Sequence, residues 1–178
     1  MQDIYHQGVF DGACFLYSIV NGYSALMKKP INQEKWDEAI KWIPFSSDYI
    51  SEIGTQRTDD DFNLYKFTIH RFLREFDKPD KFVVKEHPSI TTKEQLQALV
   101  TKDSVLIVNV EGGHWVVIVD YDDSHLKAVC SAQLFEKKEK YKEFDCAETQ
   151  RKCNLKKQYG KLRWLYQPSA ISISVNNT

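Results

Sequence analysis

The chain has 178 residues, 42% of them hydrophobic and 28% charged, with a formal net charge of −1. That length suffices for one domain with a real core, and the composition is that of an ordinary globular protein. Near-neutral charge gives no field aimed at nucleic acid or a membrane surface. No apolar run approaches the roughly 20 residues that span a bilayer, and the N-terminus lacks the basic, apolar, small-residue order of a signal peptide.

From Gly12 to Met27 the chain is apolar nearly all round, which predicts a helix buried in the middle of the fold. Asp11 is its expected N-cap, Lys28 and Lys29 suit the negative end of its dipole, and Pro30 stops it. Asn32 opens a second helix over Gln33–Ile43, with Trp36, Ala39, Ile40 and Ile43 on one face. Pro44–Thr58 reads as loop. A third helix is expected over Asp60–Phe76, where Phe62, Tyr65, Ile69, Phe72, Leu73 and Phe76 recur at helical spacing.

The period then changes. Lys81–Glu86 reads as a strand, and Thr91–Thr101 as a small helix begun by a capping box of Thr91 and Glu94. Three strands follow, over Ser104–Val110, His114–Tyr121 and Leu126–Leu134, joined by Glu111–Gly112–Gly113 and Asp122–Asp123–Ser124. Short turns between sequential strands mean an antiparallel meander. Glu136–Glu143 alternates in charge and reads as a solvated face, and Leu162–Tyr166 and Ala170–Val175 as last strands. Helices first and antiparallel strands later define an α+β plan in one domain over residues 1–178, a helical half at about 11–76 and a sheet half at about 81–175.

Four cysteines are present: Cys14, Cys130, Cys146 and Cys153. Cys146 and Cys153 are too far apart in sequence for a zinc knuckle, and a disulfide framework is not expected without a secretion signal. They read as free thiols, with no metal or organic cofactor implied. Cys14 stands apart because it falls in the first turn of the buried helix, where a thiolate is stabilised. Among five histidines, His70, His87 and His125 read as surface residues, and His6 lies in an extended start. His114 opens an apolar strand after Gly112 and Gly113, two glycines that let backbone pass close to another element.

These residues resemble the papain-like cysteine peptidases. Gly12–Ala13–Cys14–Phe15 resembles that family's C-G-[SA]-C-[WY] motif, with Asp11 at its first cysteine and Phe15 as the aromatic. Gln7 lies close to where the family keeps an oxyanion-hole glutamine. "GGHWVVIVDYDD", residues 112–123, resembles the histidine strand. His114 follows Cys14 by one hundred residues, a compact spacing similar to bacteriocin-leader peptidases and delivered bacterial effector or toxin domains. The resemblance covers about residues 6–134.

It implies a papain-like fold and a thiol protease in which Cys14 is the nucleophile, His114 its base and Gln7 an oxyanion donor. The family's third member, an Asn or Asp on the next strand, is missing. "AVCSAQL", residues 128–134, stands in that window. Gln133 is the expected holder of the His114 ring, Ser131 the alternative, and a Cys14–His114 dyad the third option. Glutamine deamidation by the same machinery and a papain-fold binding module without catalysis remain open. The implied partners are a protein substrate and a neutralising immunity protein, with no nucleic acid and no membrane. The implied location is the cytoplasm, the chain's own or that of a target cell; with five residues before His6 no pro-segment is expected, unless a longer parent was trimmed.

Overall fold

A computed structural model describes residues 2–7, 12–51, 53–55, 61–88, 90, 92–110, 113–132, 142–146, 149–159 and 170–176. The fold is mixed α+β, with helices followed by an antiparallel sheet. Helices α1 (Cys14–Met27), α2 (Gln33–Ile40), α3 (Ser46–Tyr49) and α4 (Phe62–Phe76) come first. A 3-10 turn at Pro79–Lys81 leads into β1 (Phe82–His87), α5 (Lys93–Leu99), β2 (Ser104–Val110), β3 (His114–Tyr121) and β4 (His125–Val129). Short strands β5 (Phe144–Asp145), β6 (Lys152–Cys153) and β7 (Leu155–Gln158) precede β8 (Ala170–Val175).

Six strands form one antiparallel sheet in the order β1-β8-β2-β3-β4-β7, while β5 and β6 pair separately. The expected meander is present as β2-β3-β4, but β8 returns to lie between β1 and β2. Alternation along the strands divides the core in two. Val105, Ile107, Trp115, Val117, Val119, Ile171 and Ile173 face α1 and α4, meeting Phe15, Ile19, Ile69 and Phe72. Leu106, Val108, Val116, Ile118 and Ala128 face the other way, onto Leu96 and Val100 at α5. Every one of these strand side chains is buried, so the sheet is covered on both faces at its centre.

Helix boundaries follow their caps. The side chains of Asn32 and Asp61 accept backbone N–H bonds and start α2 and α4. α2 ends at Ile40, three residues earlier than the apolar spacing suggests. The expected loop after Pro44 contains the single-turn α3. The capping box of α5 is Thr92 with Gln95, one residue beyond the expected pair. Both registers of "TTKEQ" fit the S/T-x-x-E/Q pattern, so the sequence alone does not choose. β4 stops at Val129 rather than Leu134. Asp11, Thr91, Gly112, residues 133–141 and the proposed Leu162–Tyr166 strand lie outside the described residues.

Candidate active site

Cys14 is the first residue of the 14-residue α1. Its cap, Ala13, supplies no side-chain hydrogen bond. The helix start is fixed instead by packing around it. Gly12 lies flat against the loop after α3: its N–H donates to the Ser51 carbonyl at 2.8 Å. A Cβ on Gly12 would sit 2.5 Å from both Gly54 Cα and Ser51 O. Phe15 is wholly buried and its ring meets those of Tyr49, Tyr65 and Trp115. The sequence Gly–Ala–Cys–Phe is thus a close approach, a small buried residue, a thiol and an aromatic anchor. The thiol is 7% exposed and lies within the first turn, where the helix dipole favours an anion.

The strand that follows Gly113 reaches the same point. Trp115 N–H donates to Cys14 Sγ at 3.4 Å. Since the preceding Cα lies about 2.4 Å from that nitrogen, the Cα of His114 is within about 6 Å of the sulfur. Trp115 is fixed in turn by its indole N–H, which donates to Thr55 Oγ1 at 3.2 Å. Gly113 serves this approach through its backbone angle. Its φ is +92°, and a Cβ there would meet nothing within 4 Å. The expected role of a close backbone pass is therefore replaced at Gly113 by a turn conformation that favours glycine.

The His114 ring turns toward β4. Its Nε2 lies 3.2 Å from Cys130 Sγ, and Cys130 is 3% exposed. Asn154 grips the Cys130 backbone on both sides: its Oδ1 accepts from Cys130 N–H at 2.8 Å, and its Nδ2 donates to Cys130 O at 2.9 Å. Cys130 lies within residues 128–134, the window where the expected ring holders are Gln133 and Ser131. Its thiol is a weak donor and acceptor, so residue type alone gave little signal. Gln133 is outside the described residues. The Ser131 hydroxyl donates to Gln7 Oε1 at 2.6 Å.

That last bond brings the N-terminal segment to the site. His6 Nδ1–H donates to the Ser131 carbonyl at 3.3 Å. Tyr5 is strapped to α1 by Asn21, whose Oδ1 accepts from Tyr5 N–H at 2.7 Å and whose Nδ2 donates to Tyr5 O at 3.0 Å. Gln2 forms the same two-sided link to the Lys152 backbone. With Oε1 of Gln7 accepting from Ser131, the donor end of its carboxamide is Nε2, the end an oxyanion requires. Beyond His6 lies an open cavity of about 230 Å³, lined by Tyr5, Tyr17, Trp36 and Asn32 among others.

Cys14, His114 and Gln7 each bond a residue at the adjoining ends of β3 and β4: Cys14 the Trp115 N–H, His114 the Cys130 sulfur and Gln7 the Ser131 hydroxyl. The other histidines lie elsewhere. His87 ends β1 rather than sitting in a loop, with Nε2 2.9 Å from Ser172 Oγ. His125 starts β4 beside Asp122. His70 is half-buried, and burial holds its pKa below the usual histidine value. Cys146 and Cys153 are buried in the larger core. A hydrogen bond to Cys153, together with burial, pushes the Cys146 thiol up.

None of the four cysteines is in a disulfide. Among the described residues no group of three His, Cys, Asp or Glu side chains could hold a metal ion, and no helix is long and apolar enough to cross a membrane. No protein-family model, no curated protein and no solved structure matches the chain.

Proposed function

We propose that the chain is a papain-like thiol protease, and that the peptide bond of a protein substrate is cut by Cys14 with His114. The observation that carries this reading is the 3.4 Å bond from Trp115 N–H to Cys14 Sγ. It sets a thiol at the N-terminus of a buried helix beside the backbone of a strand-leading histidine. Support also comes from the helical half followed by an antiparallel sheet, and from the compact Cys14-to-His114 spacing.

In this reading Cys14 passes its proton to His114, and the thiolate attacks the carbonyl carbon. The Cys14 N–H and the Gln7 carboxamide receive the oxyanion, and losing one such donor costs about a hundredfold to a thousandfold. The C–N bond breaks as His114 returns the proton to the leaving amine. Water, activated by His114, then hydrolyses the thioester and frees Cys14. The compact arrangement resembles effector or toxin domains delivered into a target cell's cytoplasm, so an immunity protein that covers the cleft is the expected partner.

The test is mass spectrometry of candidate target proteins after incubation with the chain and with Cys14→Ala. Fragments that require Cys14 support proteolysis. A gain of about one mass unit without fragments, also requiring Cys14, reassigns the machinery to glutamine deamidation. A stable complex with neither change makes the chain a binding module. Products that persist with Cys14→Ala overturn the assignment of the nucleophile.

A further inference from the structure

We propose that Cys130 is the positioning residue of this site, holding the His114 ring by a sulfur–imidazole hydrogen bond in the place where an Asn or Asp carboxamide or carboxylate would do so. The inference rests on the thiol-hydrolase reading given above and concerns a residue that reading does not require.

Three observations support it. The ring nitrogen Nε2 is 3.2 Å from Cys130 Sγ, within hydrogen-bonding distance for nitrogen and sulfur. The sulfur is held in place: Asn154 is 3% exposed and bonds both backbone groups of Cys130, so the side chain starts from a fixed point at the end of β4. Ser131, the neighbouring candidate, directs its hydroxyl to Gln7 instead. Two consecutive residues thus divide the work, Cys130 on the base and Ser131 on the oxyanion donor.

The chemistry follows from which nitrogen is committed. When Nε2–H donates to Cys130 Sγ, the neutral ring carries its proton on Nε2, and proton exchange with Cys14 falls to Nδ1. A group that fixes the tautomer in this way orients a histidine without being protonated itself. A neutral thiol, unlike a carboxylate, adds no charge to stabilise the imidazolium. The site is therefore built with a weak holder, and a stronger one should improve it. Of the titratable groups at this strand end, Cys130 contacts the His114 ring, Cys14 Sγ accepts from the N–H of the next residue, Trp115, and His6 bonds the carbonyl of Ser131, the residue after Cys130.

The experiment needs no substrate. Alkylation of Cys14 by iodoacetamide is followed by peptide mapping from pH 5 to 9, in the wild type and in His114→Ala, Cys130→Ala, Cys130→Ser, Cys130→Asn and Cys130→Asp. The His114 ring is titrated in parallel by NMR, with His6→Gln in every variant to remove that ring's signal. The expected result is a Cys14 rate near pH 6 that collapses in His114→Ala. Cys130→Ala should lower it about fivefold, the worth of one ordinary hydrogen bond. Cys130→Asn should raise it above the wild-type rate, and Cys130→Asp should raise it while also moving the His114 titration upward. If Cys130→Ala fails to fold, Cys130→Asn and Cys130→Asp carry the comparison. An unchanged Cys14 rate in His114→Ala overturns the thiol–imidazole reading itself. Collapse in His114→Ala, with every Cys130 variant matching wild type in rate and titration, overturns the role of Cys130 alone. Faster alkylation of Cys130 than of Cys14 in the wild type also overturns it, because Cys130 would then be the reactive thiol.

Discussion

Replacing Gly12 with alanine tests whether the approach of the α3 loop sets the Cys14 turn. The new Cβ would lie 2.5 Å from Gly54 Cα, 2.5 Å from Ser51 O and 2.8 Å from Gly54 N. All three are backbone atoms, so no side chain can rotate aside. Relief requires the Ser51–Gly54 segment to move by about 1 Å, since carbon atoms pack at about 3.5 Å or more. That segment is tied down, because the Asp48 carbonyl accepts from both Ser51 N–H and Gly54 N–H. Overpacking of this kind costs about 1–3 kcal/mol. Losing the Gly12–Ser51 bond adds about 1 kcal/mol. For a chain of this size the sum lowers Tm by about 5–15 °C. Thermal unfolding followed by circular dichroism measures it, and Cys14 alkylation under native conditions reports whether the thiol has shifted. Gly113→Ala is the control: it meets nothing within 4 Å and carries only the strain of φ +92°, about 1–3 kcal/mol. A Gly12→Ala protein that melts within about 1 °C of wild type, with unchanged Cys14 reactivity, would refute the argument.

Thr55→Val removes the acceptor of the buried Trp115 indole N–H, and should cost about 1–3 kcal/mol in urea unfolding while slowing Cys14 alkylation. Arg151, 1% exposed, donates to the carbonyls of Ser104, Val119 and Lys102; burial pulls its pKa down to about 10. Arg151→Ala leaves those acceptors behind and should cost about 3 kcal/mol or more by the same measurement. Burial, with Lys85 nearby, holds the His87 pKa below its usual value. The unfolded chain therefore binds more protons than the folded one just below about pH 6.5. Stability should fall as pH drops through that window and level off below the folded pKa. His87→Gln should flatten this part of a stability profile, and an unchanged slope would show that His87 does not contribute.

The parts of the fold legible in sequence are those where pattern and structure share one cause. β2 and β3 begin and end where alternation and turns place them, because both of their faces are buried by different elements. α1 ends at Met27 with Lys28 in a left-handed cap, just before Pro30. What escaped has no period to read. β5 and β6 are two residues each, shorter than any alternating pattern. The insertion of β8 between β1 and β2 is a long-range choice, made by Ile171 and Ile173 finding the α1 face. The carboxamides of Asn21, Gln2 and Asn154 each bridge an N–H and a C=O of a distant backbone segment. An isolated Asn or Gln in sequence carries no mark of such a link.

The site follows the same logic, and its geometry explains why two thiols meet one strand end. Trp115 faces α1, so by alternation His114 shares the face of Val116 and Ile118, where Cys130 also lies. Cys14 comes from the opposite side of the sheet, on α1. The two can approach because the β3–β4 ladder begins its pairing at Val117 and Val129, three residues inside the start of β3. Beyond that pair, Trp115 N–H bonds Cys14 Sγ, and Cys130 lies across the strand end from His114. A ladder extended to Trp115 would fill the place of the Cys14 sulfur with a strand carbonyl. The early end of β4, one of the departures from the sequence pattern, is thus the feature that opens the sheet to the Cys14 thiol. Asn154 maintains it by satisfying the N–H and C=O of Cys130, the first residue after β4, so that leaving the ladder exposes no unpaired backbone group at that position.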